Sequence, residues 1–270
     1  MNPIIQSLRE DATAAFHAAV AAAQPAGLLT ATMTVDGDRV AIRGEVMPQV
    51  SGRRVVTALG KAAPGLADAW IEHAPGLADE IFVLAPHGVP VTDRVRASAE
   101  VHSGSHPHPD ASGESATTRL IDLARSLAED DLLVVLLSGG SSALLAAPVD
   151  GVTRDDVATT TRALMGAGAT INQVNTVRRQ LLAATGGGLA QAASPAHVVT
   201  LVLSDVLGDP LPDIGSGPTV RSSTTAADAL GVLGGLALVA DLPPSVIDVL
   251  RSRVERPPDD SWEDRSRVQI

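Results

Sequence analysis

Residues Asp130 to Leu145 read DDLLVVLLSGGSSALL. Two acids lead into the apolar run Leu132 to Leu137. Ser138-Gly139-Gly140-Ser141-Ser142 follows, and then Ala143-Leu144-Leu145. A short unbroken apolar run bounded by turn residues fits a strand buried on both faces. Arg54 to Leu59 (RVVTAL) and Val198 to Leu203 (VVTLVL) repeat that pattern, and Ile81 to Ala85 is a shorter version. Helix-forming stretches lie between these runs. Strands alternating with helices imply βαβ units, so the expected class is α/β, a mostly parallel sheet with helices on both faces. In such sheets ligands bind at the carboxyl ends of strands. Three runs end in loops suited to that: Gly60-Lys61, Ser138 to Ser142, and Ser204 to Asp209.

Composition limits what such a sheet can be made of and what it can meet. The chain has 270 residues, enough for one large or two small domains. It is 45% apolar but has only two Phe, two Trp and no Tyr, so Ala, Val and Leu must fill the core. A net charge of -11 argues against nucleic acid or an anionic membrane as partner. Without cysteine there is no disulfide and no thiolate chemistry. No apolar run approaches the roughly 18 residues of a membrane span, and no signal-peptide core opens the chain. The expected location is the cytoplasm.

The remaining elements follow from periodicity and punctuation. Residues 4–23 read as an Ala-rich amphipathic helix. Residues 28–57 read as a hairpin or short strands around Asp36-Gly37-Asp38. Helices are expected near 62–73 and over 112–128, the latter capped by Ser112 or Gly113. Residues 89–100 fit no single pattern, and the SHPHPD stretch at 105–110 cannot be helix. Thr153 and Thr170 are placed to cap helices, the second putting Val174, Val177 and Leu181 on one face. Further helices are expected near 224–239 and from Pro243-Pro244 to about 254. Residues 256–270 read as a charged tail beyond a domain spanning 1–255.

The chemistry-bearing residues sit at the strand ends. Gly139 and Gly140 allow a tight turn and close approach of backbone to ligand. If that turn feeds a helix, the helix N-terminus favours an anion. Lys61, the only lysine in the chain, follows a strand and a glycine at the start of a helix. An anion there would relieve the clash of its charge with the helix dipole. Asp205 and Asp209 are carboxylates that could hold Mg²⁺ together with phosphate and water, or accept a proton from a hydroxyl. His106 and His108 lack the spacing of a zinc site; His106 suits contact with a carboxylate or positioning of a loop. Asn175 and Arg178 lie one turn apart, and a forked arginine suits a carboxylate or phosphate. Spacing alone supports no more than an enzyme or binder acting on phosphorylated small molecules.

The motifs GKAA (60–63), HPHPD (106–110), LLSGGSSALL (136–145), GATINQVNTVR (168–178), SDVLGDP (204–210) and SGPT (216–219) occur in that order. Together they resemble the N-terminal domain of the type II glycerate 2-kinases, the MOFRL-containing family, some of whose members carry the name hydroxypyruvate reductase. The resemblance runs over about residues 4–255. It implies a Rossmann-like three-layer α/β/α fold and transfer of the ATP γ-phosphoryl group to the 2-hydroxyl of D-glycerate with Mg²⁺. It makes Lys61 a candidate for stabilising the transferred group and matches Asn175 and Arg178 to the family's NTVR helix.

The sequence also departs from that pattern. Ser141 stands where the family has a glycine, a strained choice if the position needs positive φ. Thr185 and Gly188 replace basic residues, and Arg221 follows SGPT where the family has a proline. The family's C-terminal MOFRL domain is not in the sequence. The leading expectation is a glycerate 2-kinase-like protein that is truncated or one part of a split enzyme, with a separate chain carrying the other domain. A non-catalytic nucleotide- or sugar-acid-binding remnant and a hydroxypyruvate reductase are the alternatives. The lack of a GxGxxG with a following acid speaks against the last. Homo-oligomerisation stays open.

Overall fold

The computed structural model describes residues 3–256 and 261–269. Helices α1 (Pro3–Ala22) and α2 (Pro25–Thr32) lead into a small antiparallel sheet of β1 (Met33–Asp36), β2 (Arg39–Ile42) and β3 (Glu45–Val46). The doubly wound body then begins with β4 (Arg54–Leu59), α3 (Ala63–His73), β5 (Glu80–Pro86), α4 (Asp93–Ser98) and β6 (Glu100–Gly104). It continues through α5 (Ala111–Arg125), β7 (Leu132–Ser138), α6 (Ser141–Leu144), α7 (Arg154–Gly166), α8 (Ile171–Leu181), α9 (Gly188–Ala193) and β8 (His197–Leu203). Helices α10 (Ala226–Gly235) and α11 (Pro244–Glu255) precede the last strand, β9 (Ser266–Gln269).

The six-stranded sheet has the order β6-β5-β4-β7-β8-β9, every pair parallel. From β4 the chain winds outward through β5 to β6. It then returns to the other side of β4 and winds outward through β7 and β8 to β9. The carboxyl ends of β4 and β7 therefore flank the point where the winding reverses, the place where open α/β sheets hold ligands.

The apolar runs become strands because both faces are covered. All of β7 is buried, and its side chains alternate between two cores. Leu133, Val135 and Leu137 pack with α5 and α9, while Leu132, Val134 and Leu136 pack with α3 and the β2 side of the hairpin. Burying each such side chain contributes roughly 1.5–3 kcal/mol. Helices α7, α8, α10 and α11 close a third core around Leu164, Val177, Leu181 and Leu233. Thr153 and Thr170 make full capping boxes with Asp156 and Gln173.

Several expectations are corrected. The N-cap of α5 is Asp110, not Ser112 or Gly113; its Oδ1 accepts from the Gly113 N–H at 2.9 Å. The turn after β7 feeds only the single helical turn of α6, too short to sum much of a dipole. Helix α1 ends at Ala22, before Pro25, as expected, but Pro25 opens a further helix, α2, which takes residues 28–32 out of the expected hairpin region. The stretch read as a loose charged tail carries the sixth strand: β9 pairs with β8 and Trp262 is buried in the core. Residues 257–260 and 270 of that stretch lie outside the described residues.

Candidate functional site

The ends of β4 and β7 are sewn together by backbone and one hydroxyl. Ser138 is buried; its Oγ donates to Leu59 O at 3.1 Å and accepts from the Ala62 N–H at 3.0 Å. The Lys61 N–H donates to Gly139 O at 2.9 Å. Gly60 has φ 110°, and a Cβ there would lie 2.5 Å from Ser138 Oγ and 2.8 Å from Gly139 O. Only glycine lets the two strand ends approach this closely.

The side chains gather over the turn. A Cβ on Gly139 would lie 2.5 Å from both carboxylate oxygens of Asp205, so Asp205 rests against the backbone of the turn. A Cβ on Gly140, φ 89°, would lie 3.0 Å from Cγ of Lys61 and 3.3 Å from Cδ2 of His106. Four strand ends thus converge: β4 brings Lys61, β6 brings His106, β7 brings the turn and β8 brings Asp205. Positive φ falls on Gly140 and not on Ser141. The serine therefore costs no backbone strain at this departure from the family pattern. Its buried Oγ donates to Ser138 O at 2.9 Å.

Helix α8 supports the turn from behind. Arg178 donates to Ser142 O at 3.2 Å. Burial depresses its pKa, a sign that the guanidinium is poorly solvated. Among the described residues neither Arg178 nor Lys61 forms an ion pair with a carboxylate. A desolvated arginine and a lysine beside a Gly-Gly turn can together hold an anion. Asn175 is half-buried on the same helix. Ser216 of the SGPT motif donates to Ser142 Oγ at 2.8 Å, and Arg179 next to Arg178 holds that motif's approach by bonds to Pro212 O and Asp213.

Asp209 and the departures from the family pattern have their own surroundings. Asp209, φ 49°, lines a cavity together with Ile42. Thr185 and Gly188 lie in a packed loop. Thr185 is buried, and Gly186 and Gly187 donate to Ser216 O and Gly217 O at 2.9 and 2.8 Å. Arg221 pairs with Glu263 at 3.4 Å, so it ties SGPT to the segment before β9.

His87 went unread, although it directly follows the legible run of β5. Its ring bridges Ser103 Oγ and Asp110 Oδ2, both at 2.9 Å. Burial alone would raise the pKa of Asp110; the Gly113 N–H, His87 and the Ser105 N–H outweigh it and hold the carboxyl below its usual range. This clamp fixes both ends of the loop that carries His106 and His108. Its signal was available: a polar residue at a fourth strand end.

Among the described residues no group of three or more His, Asp or Glu side chains forms a metal cluster. Mg²⁺ commonly takes only one or two carboxylates plus phosphate and water, and Asp205 beside the turn is a donor of that kind.

The fold is a doubly wound α/β domain, and the cluster of Lys61, His106 and Asp205 over the Gly139-Gly140 turn lies at its switch point. Residues 11–251 match the family described as "Domain of unknown function (DUF4147)". The chain belongs to this family, the N-terminal domain of type II glycerate kinases. It is 39% identical over 265 residues to the glycerate kinase of Rattus norvegicus, covering 93% of this chain and 50% of that protein. A provisionally named hydroxypyruvate reductase of Agrobacterium vitis is 43% identical over 203 residues, 74% of this chain and 50% of that one. The solved glycerate kinase of Thermotoga maritima superposes with a TM-score of 0.80 at 31% identity, over 98% of this chain and 58% of that one. The chain thus spans about half the length of the curated relatives it matches. No helix among the described residues is long and apolar enough to cross a membrane.

Proposed function

We propose that this chain supplies the phosphate-handling half of an ATP-dependent glycerate 2-kinase, acting in the cytoplasm. The observation that carries the reading is the convergence of Lys61, His106 and Asp205 on the Gly139-Gly140 turn. In the reaction the 2-hydroxyl oxygen of D-glycerate bonds to the γ-phosphorus of ATP. The bond to the bridging oxygen of ADP breaks, and the hydroxyl proton leaves to a base. Such transfer needs mainly positioning and charge neutralisation.

The residues divide that work. Lys61 neutralises charge on the transferred group. The N–H groups of Ser138 to Ser142 lie along the phosphate path, and Arg178, with Asn175 beside it, holds an anionic group of donor or acceptor. His106 borders the acceptor side. Asp205 is the carboxylate that would hold Mg²⁺ or take the proton, and Asp209 would join it in holding the metal. Mg²⁺, when bound, supplies charge neutralisation on phosphate oxygens.

The other half of the relatives' length bears on activity. Closing a cleft excludes water and completes a catalytic constellation. A separate chain or a further domain with that role is part of this proposal. ADP release with ATP, Mg²⁺ and D-glycerate tests it. Purified residues 1–270 should turn over far below the roughly 10 s⁻¹ typical of enzymes. Adding a chain equivalent to the relatives' second half should raise the rate. A rate near 10 s⁻¹ from the chain alone would show that it is catalytically complete. No glycerate-dependent ADP under either condition would end the kinase reading.

A further inference from the structure

Helix α5 connects the loop of His106 to a second cavity. Asp110 caps its start, and Arg125 is its last residue, about 21 Å further along the axis at 1.5 Å per residue. Arg125 lines a cavity of about 340 Å³. The floor of this cavity is apolar: Ile121 of α5 and Val149 are buried, and Ala183 and Ala192 are half-buried. The bridge between Pro148 and Leu182 brings the first of these segments beside the second, and α9 packs on α5. Four exposed polar side chains stand around the floor: Arg125, Asp150, Gln191 of α9 and Arg253 of α11. None of these residues belongs to the cluster over the Gly139-Gly140 turn.

The two arginines are short of counter-charge. Arg253 forms no ion pair among the described residues. The protein around it nevertheless desolvates its guanidinium enough to lower the pKa. Arg125 has Asp122 of its own helix at 3.7 Å, beyond hydrogen-bond distance. Asp150 pairs with neither arginine. The lining thus holds two cations against one carboxylate, in a chain whose net charge is -11. A poorly solvated guanidinium without a partner gains most from an anion that accepts from its fork of donors.

We infer that this cavity is a second ligand site, taking a small hydroxylated organic acid whose anionic group is held by Arg125 and Arg253. The site is separate from the phosphate turn, and the inference does not depend on the kinase reading. Each part of the lining matches a part of such a ligand. The arginines meet a carboxylate or phosphate ester. Asp150 repels a bare anion but accepts from a hydroxyl, and the Gln191 amide can donate or accept. The apolar floor covers the carbon skeleton. The volume lies in the lower range of small-ligand pockets, and an apolar lining with a few polar groups is their usual make-up.

Amide NMR titrations of the isotope-labelled 1–270 chain test the inference. The probes are 3-phosphoglycerate, which carries a phosphate, a hydroxyl and a carboxylate, and inorganic phosphate. At millimolar 3-phosphoglycerate the amides of Gly188, Gln191 and Arg253 should shift and saturate together. Arg253→Gln and Arg125→Gln, both at exposed positions, should each weaken that response by about tenfold, the worth of one charge-assisted hydrogen bond. Inorganic phosphate should bind there at least about fivefold more weakly, because it has no carbon skeleton for the floor. Lys61→Ala should leave the response at these amides unchanged. No shift at these amides, or unchanged affinity in both glutamine variants, would overturn the site. Equal affinity for inorganic phosphate would overturn the organic acid as its ligand. Loss of the response in Lys61→Ala would place the ligand at the phosphate turn and overturn the separate site.

Discussion

Strand β7 and helix α1 are both apolar and both legible in the sequence, yet they meet opposite fates. Every residue of β7 is buried, and its side chains feed two cores. No residue of α1 is buried: Ile5, Leu8, Phe16 and Val20 stay exposed along a helix built mainly on alanine propensity. Secondary structure can thus be encoded locally, whereas a site needs elements fixed by tertiary burial. All side chains of the proposed site hang from the buried kind.

The largest expected effect follows from that contrast. Leu133→Ala leaves a cavity between β7 and α5 and should cost about 2–5 kcal/mol. Phe16→Ala in α1 should change stability by no more than about 0.5 kcal/mol. Urea unfolding of the two variants measures both, and equal losses would break the comparison.

Gly60→Ala should rank next. The residue has φ 110°, and the added Cβ would strike Ser138 and Gly139. A loss of about 1–3 kcal/mol is expected, with nucleotide binding lost alongside because Lys61 moves with the strand end. Gly231, on an open helix face with nothing within 4 Å of where a Cβ would lie, is the control: alanine there should be neutral or stabilising.

A smaller effect concerns the start of β7. Asp131 is buried, and desolvation alone would raise its pKa. The Ala128 and Arg53 N–H groups and the Arg53 guanidinium more than offset this and lower it. A depressed folded pKa contributes stability that is complete above the unfolded value of about 3.9 and is lost as pH falls through the folded value. Asp110 acts in the same direction. Urea midpoints should therefore drop as pH is lowered from about 5 toward 3, and Asp131→Asn should flatten that dependence.

The same contrast governs what could be read from sequence. The interior strands β4, β5, β7 and β8 were legible because burial on both faces demands unbroken apolar runs. The edge strands β6 (EVHSG) and β9 (SRVQ) were not, since half-exposed edges tolerate His, Ser, Arg and Gln. Helix α2 was hidden because Pro25 reads as a breaker when its position in the first turn is unknown. At the site, the loops at three strand ends were visible as composition. That positive φ falls on Gly140, that Asp205 meets the turn, and that Gln269 borders a cavity all depend on which strands become neighbours. Local pattern does not carry that.

Lys61 and the Gly139-Gly140 turn should act as one anion site at the switch point. Calorimetric titration of wild type and Lys61→Ala with inorganic tripolyphosphate tests it most directly. Lys61 is exposed, so the variant should keep its stability to within about 0.5 kcal/mol. Its affinity should fall by about tenfold or more. Unchanged affinity in a variant of unchanged stability would contradict it.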